Sequence, residues 1–88
     1  MAKNIERSPV HKEVPASWIN SDQELLNKIM TEAKETILRT KVFTLRLTGL
    51  TEDITKAREK IKETVRVMLP GCRITEKKEE GLPIFTIT

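Results

Sequence analysis

The sequence predicts a two-layer α/β sandwich in which two helices cover one face of a mixed sheet of three or four strands, in the order (β)αβαββ. Three observations carry this. Apolar residues recur at helical spacing over residues 25–38 and 54–68, the period switches to two over 42–48, and two Ile/Thr/Phe-rich segments, 72–77 and 82–88, flank a polar turn at 78–81. Helices that are apolar on one side need a single sheet face to bury it, which gives two layers around one core. A chain of 88 residues has room for one such domain, expected over 21–88, with 1–20 as a flexible arm or edge strand.

In the arm, Pro9 and Pro15 stand among the isolated apolar residues Ile5, Val10, Val14, Trp18 and Ile19. This is poor helix material and at best an edge strand near 10–14. Ser21 and Glu24 then read as a capping box that opens the first helix. Its apolar stripe is Leu25, Leu26, Ile29, Met30, Ala33, Ile37 and Leu38, with Lys28, Glu32, Lys34 and Glu35 on the wet side. Trp18, just ahead of the cap, is expected to pack back onto the first turns.

The next strand alternates. Phe43, Leu45 and Leu47 face one way, Val42, Thr44, Arg46 and Thr48 the other, and Gly49 ends it. Thr51 with Glu52 and Asp53 supplies a cap and first-turn acids for the second helix, whose stripe is Ile54, Ala57, Ile61, Val65 and Met68. Its charges, Lys56, Arg58, Glu59, Lys60, Lys62, Glu63 and Arg66, read as a solvated face with pairs at three- and four-residue spacing. Pro70-Gly71 stops the helix, and a hairpin closes the sheet. The chain ends inside its last expected strand, so the sequence leaves room for a longer protein.

Composition narrows the function classes. Apolar residues at 38% and charged residues at 33% fit a packed globule, and 3% aromatic content leaves the core to aliphatic side chains. No apolar run is long enough to span a bilayer and the first residues do not form a secretory signal, so the expectation is an intracellular protein with no membrane partner. One cysteine, one histidine and no tyrosine offer no conventional active site, and the three glycines stand apart, so no phosphate loop exists. No enzyme, metal or cofactor is expected. His11 reads as a solvated side chain and Cys72 as a small buried hydrophobe.

The charge is +3, a modest surplus, so its placement matters more than its sum. Phe43, Leu45, Leu47, Cys72, Ile74, Phe85 and Ile87 define the buried side of the sheet. The other side is expected to carry Thr44, Arg46, Thr48, Arg73, Thr75, Lys77, Ile84, Thr86 and Thr88, three cations and no acid. Between Thr36 and Thr51 there is again no acidic residue, while Arg39, Lys41 and Arg46 fall there. Such a face can neutralise phosphates, although threonine is also a favoured strand residue and a strand cation also discourages aggregation. The lack of aromatics argues against base stacking, so backbone contact should dominate.

Two resemblances attach to these residues. Gly49 followed by Ile54-x-x-Ala57-x-x-x-Ile61 resembles the last strand and helix of a KH domain, here without a Gly-x-x-Gly loop. Over more of the chain, the element order is similar to Alba proteins and to the C-terminal domain of bacterial translation initiation factor three. Ile54-Thr55-Lys56-Ala57 matches the start of the second Alba helix, and the Pro70-Gly71 turn and final hairpin fall where that fold puts its arm. The Alba resemblance implies a dimeric binder of DNA or RNA.

The expectation is therefore a non-enzymatic nucleic-acid-binding module. Arg46, Arg73 and Lys77 lie on the open face, Arg39 and Lys41 at its rim, Lys78 at the hairpin tip and Lys12 in the arm. The alternative is a protein-interaction or homodimerisation module that uses an edge strand at 82–88 or the face around Ile84.

Overall fold

The computed structural model describes residues 10–88. The elements are β1 (Lys12–Pro15), α1 (Ala16–Ser21), α2 (Gln23–Thr40), β2 (Phe43–Thr48), α3 (Thr51–Met68), β3 (Ile74–Glu79) and β4 (Leu82–Ile87). The sheet order is β1-β2-β4-β3. β1 runs parallel to β2, and β4 runs antiparallel to both of its neighbours. The result is the expected two-layer α/β sandwich, with three helices rather than two.

The third helix is α1, inside the stretch expected to be an arm; residues 1–9 of that arm, with Ile5 and Pro9, lie outside the described residues. Ala16 and Ile19 are fully buried in the core. Lys60 of α3 donates from Nζ to the Ile19 and Asn20 carbonyls at 3.3 and 3.2 Å, and Asn20 donates from Nδ2 to the Asp53 carbonyl at 2.9 Å. The two Lys60 bonds satisfy carbonyls at the C-terminal end of α1 that have no partner within it. Trp18 points outward, 57% exposed, rather than onto the first turns of α2.

The helix starts also differ from expectation. Asp22, not Ser21, caps α2 by accepting from the Leu25 N–H at 3.1 Å, because Ser21 ends α1 and bonds back to the Trp18 carbonyl at 3.4 Å. α3 begins after Leu50 with no side-chain cap, and Thr51 lies inside its first turn. Lys41 closes α2 at φ 74°, a left-handed cap usually given to glycine, donating to the Ile37 carbonyl at 2.8 Å.

The stripes of α2 and α3 meet the β2 and β4 side chains in one core that includes Leu26, Ile29, Met30, Ala33, Leu45, Leu47, Ile61, Val65, Phe85 and Ile87. Each large aliphatic or aromatic side chain here contributes about 1.5–3 kcal/mol through burial. Leu38 overruns the stripe and stands 73% exposed. Glu80 and Gly81, at φ 56° and 82°, make the two-residue hairpin turn, so β3 reaches Glu79. β3 starts at Ile74, leaving the half-buried Cys72 in the preceding loop, its N–H bonded to the Leu69 carbonyl at 3.1 Å.

Two further corrections concern interaction surfaces. The segment 82–88 is not an edge, because β4 lies between β2 and β3; the edges are β1 and β3. Ile84 is itself fully buried, so the sheet around it is no open patch. Among the described residues no helix is long and apolar enough to cross a membrane.

Candidate nucleic-acid interface

On the face away from the helices, Arg46 opposes Glu13 on β1 and Ile84 on β4, and Ile84 in turn opposes Lys77 on β3. Arg46 reaches Glu13 Oε2 from Nη1 at 3.6 Å and Glu79 Oε1 from Nη2 at 3.4 Å, and its side chain is only 17% exposed. Lys77 Nζ lies 3.8 Å from Glu79 Oε2. The face is therefore not acid-free. Glu13 arrives because β1 pairs with β2, and Glu79 because β3 runs two residues past its expected end. Two carboxylates bracket the central cation, leaving little net charge to draw a polyanion.

The backbone at the centre of this face is also closed. Thr44 is 4% exposed, and its N–H donates to His11 Nδ1 at 3.0 Å while the His11 N–H donates to the Thr44 carbonyl at 2.9 Å. The His11 ring stacks on Phe43 with centroids 5.6 Å apart. His11, expected to be merely solvated, uses its Nδ1 as a bonding partner for β2.

Other expected site cations are paired on the helix side or lie far from the group. Lys12 turns toward the helices and meets Glu32 of α2 at 3.4 Å. Lys78 sits at the hairpin end, in a cleft with Thr51, Thr55 and Arg58. On the same side of β3, Glu76 is held by α3: Arg58 donates from Nη2 to Oε1 at 3.1 Å, and Lys62 Nζ lies 3.4 Å from Oε1. Arg58 Nε also lies 2.7 Å from Oε2, an ion contact whose N–H is not aimed at the oxygen.

Arg39, Lys41 and Arg73 behave differently. They are exposed, and no described carboxylate lies within ion-pair distance of any of them. Their positions converge, because Phe43, Ile87 and Ile74 are in register across the sheet. One end of the domain therefore gathers the C-terminus of α2, the starts of β2 and β3, and the end of β4, where Arg73 exchanges both backbone bonds with Thr88.

α3 finishes at the same end and brings Arg66 in its last turn, also exposed and unpaired. Sequence reading passed over Arg66 as part of a solvated helix face. The available signal was a second acid-free stretch: no Asp or Glu occurs between Glu63 and Glu76. Arg39 and Arg66 occupy the last turns of their helices, where the negative end of the dipole favours a cation without any carboxylate.

Two clefts open at this end, on either side of loop 69–72. One, of about 330 Å³, is lined by Val65, Arg66, Leu69, Pro70, Cys72 and Ile74 together with Lys62 and Gly71. The other, of about 260 Å³, is lined by Lys34, Ile37, Leu38, Met68, Leu69, Pro70 and Cys72. Among the described residues no three of His, Cys, Asp and Glu converge as a metal set would. Comparison of the chain with protein-family models, curated proteins and solved structures returns no match.

Proposed function

We propose that the chain is a non-enzymatic nucleic-acid-binding module that grips the phosphate backbone with Arg39, Lys41, Arg66 and Arg73. The observation that carries this reading is the convergence of four exposed, unpaired cations, drawn from two acid-free segments, at one end of the domain. Each cation that neutralises a phosphate releases condensed counterions, so binding weakens steeply with salt.

The reading moves the site off the sheet face. Arg46 and Lys77, matched by Glu13 and Glu79, position strands rather than phosphates; Lys12 shares a cleft with Arg39 but is matched by Glu32, and Lys78 lies at the hairpin end. The observed strand and helix order, with α1 as an added turn, is compatible with the Alba resemblance and its implied role. An intracellular site of action belongs to the same reading.

A protein-pairing role has less support. The long free edge, β3, carries Glu76, Lys77, Lys78 and Glu79, charges that oppose strand addition. The test is binding of a labelled oligonucleotide to the full chain across a salt series. With four phosphate contacts, log K falls with log salt at a slope of about −3 for a single strand. Binding that is absent, or indifferent to salt, contradicts the proposal.

A further inference from the structure

We infer that the nucleic acid this end accepts is single-stranded, with neighbouring bases entering the two clefts beside loop 69–72 while the cations hold the phosphates between them. The inference rests on the nucleic-acid reading above and specifies its ligand. Each cleft combines apolar lining with an unpaired cation: Lys34 beside Ile37, Leu38 and Met68 in one, and Arg66 with Val65 and Ile74 in the other, where Lys62 is taken up by Glu76. The two share Leu69, Pro70 and Cys72, so they are adjacent.

That alternation selects the occupant. A polymer with one flat, largely apolar group and one negative charge per repeat matches two small clefts with a cation at each. A duplex keeps its base faces stacked inside and offers only its backbone. An acidic helix lays a continuous apolar face several turns long into a groove, more surface than either small cleft offers. At about 260 and 330 Å³ the clefts sit near the lower end of ligand-pocket sizes, roughly 300 Å³ upward, suited to a single ring system rather than a folded element. Leu38, 73% exposed on the rim of one cleft, is an apolar side chain left uncovered by the fold and available to a base.

The experiment titrates the full chain at fixed low salt with oligothymidine, with a blunt duplex of equal length, and with poly-glutamate. It also follows the alkylation rate of Cys72, the single cysteine, which lines both clefts. Oligothymidine should bind about tenfold more tightly than the duplex and slow Cys72 alkylation. Leu38→Ser, at an exposed position that leaves the core intact, should weaken the single strand about fivefold and leave the duplex unchanged. Equal affinity for the two nucleic acids, unchanged Cys72 reactivity at saturating oligothymidine, or equal protection by poly-glutamate overturns the single-strand inference while salt-dependent binding keeps the broader reading intact. Failure of both nucleic acids to bind overturns the broader reading itself.

Discussion

The open sheet face and the end where the helices finish both hold arginine and lysine, and they use them in opposite ways. On the face, Arg46 is flanked by Glu13 and Glu79, and Lys77 shares Glu79, so positive charge ties β1, β2 and β3 together. At the helix ends, Arg39, Lys41, Arg66 and Arg73 make no ion pair with a described carboxylate, although Arg39 shares a cleft with Glu32 and Glu35, and Arg66 shares one with Glu59 and Glu63. A cation already matched by acids costs desolvation to pull away, whereas an unmatched, hydrated one exchanges water and counterions for a phosphate at little structural cost. Pairing therefore separates structural charge from binding charge.

The largest effect that separates the two regions is on stability. Arg46→Glu places a third carboxylate between Glu13 and Glu79 in a mostly buried position, and should cost about 2–3 kcal/mol in urea unfolding. The same protein, while folded, should bind nucleic acid nearly as well as the parent. Arg73→Glu should do the reverse, weakening binding about tenfold while shifting unfolding by less than about 0.5 kcal/mol. If Arg46→Glu abolishes binding without unfolding the chain, the division between the regions is wrong.

A smaller effect tests the helix side of β3. Glu76→Gln leaves Arg58 and Lys62 without their shared carboxylate and should cost about 1 kcal/mol of stability without changing binding. The smallest effect separates strain from function at one residue. Lys41→Gly removes a side chain from a left-handed cap, so stability should rise by about 0.5 kcal/mol while oligonucleotide affinity falls about threefold. A rise in both quantities would take Lys41 out of the interface.

The periodic elements were legible in the sequence because their signals are local. α2, β2 and α3 announce themselves through stripes and alternation, and Glu80-Gly81 falls within the polar turn expected between the last two strands. α1 was not legible, since six residues are too few to show a period and its burial depends on Lys60 and Asp53 far along the chain. The choice of Asp22 over Ser21 as the cap depends on where that unforeseen helix ends.

The misreading of the open face has the same origin. Both partners of Arg46 lie 33 residues away along the chain, one before it and one after it, and the contacts follow from strand order and hairpin length rather than from any nearby pattern. Arg39, Lys41 and Arg73 were visible as cations in acid-poor sequence, and Arg66 was visible by the same criterion. Their convergence became apparent only once the register of β2, β4 and β3 was known.

The most direct test of the central claim is the salt dependence of oligonucleotide binding in two charge-neutralised proteins, Lys41→Gln/Arg73→Gln and Arg46→Gln. The first should flatten the slope of log K against log salt by about 1.4, two phosphate contacts' worth for a single strand, and the second should leave the slope at the parent value. A slope that flattens in Arg46→Gln and holds in the double variant would return the binding site to the sheet face and contradict the account.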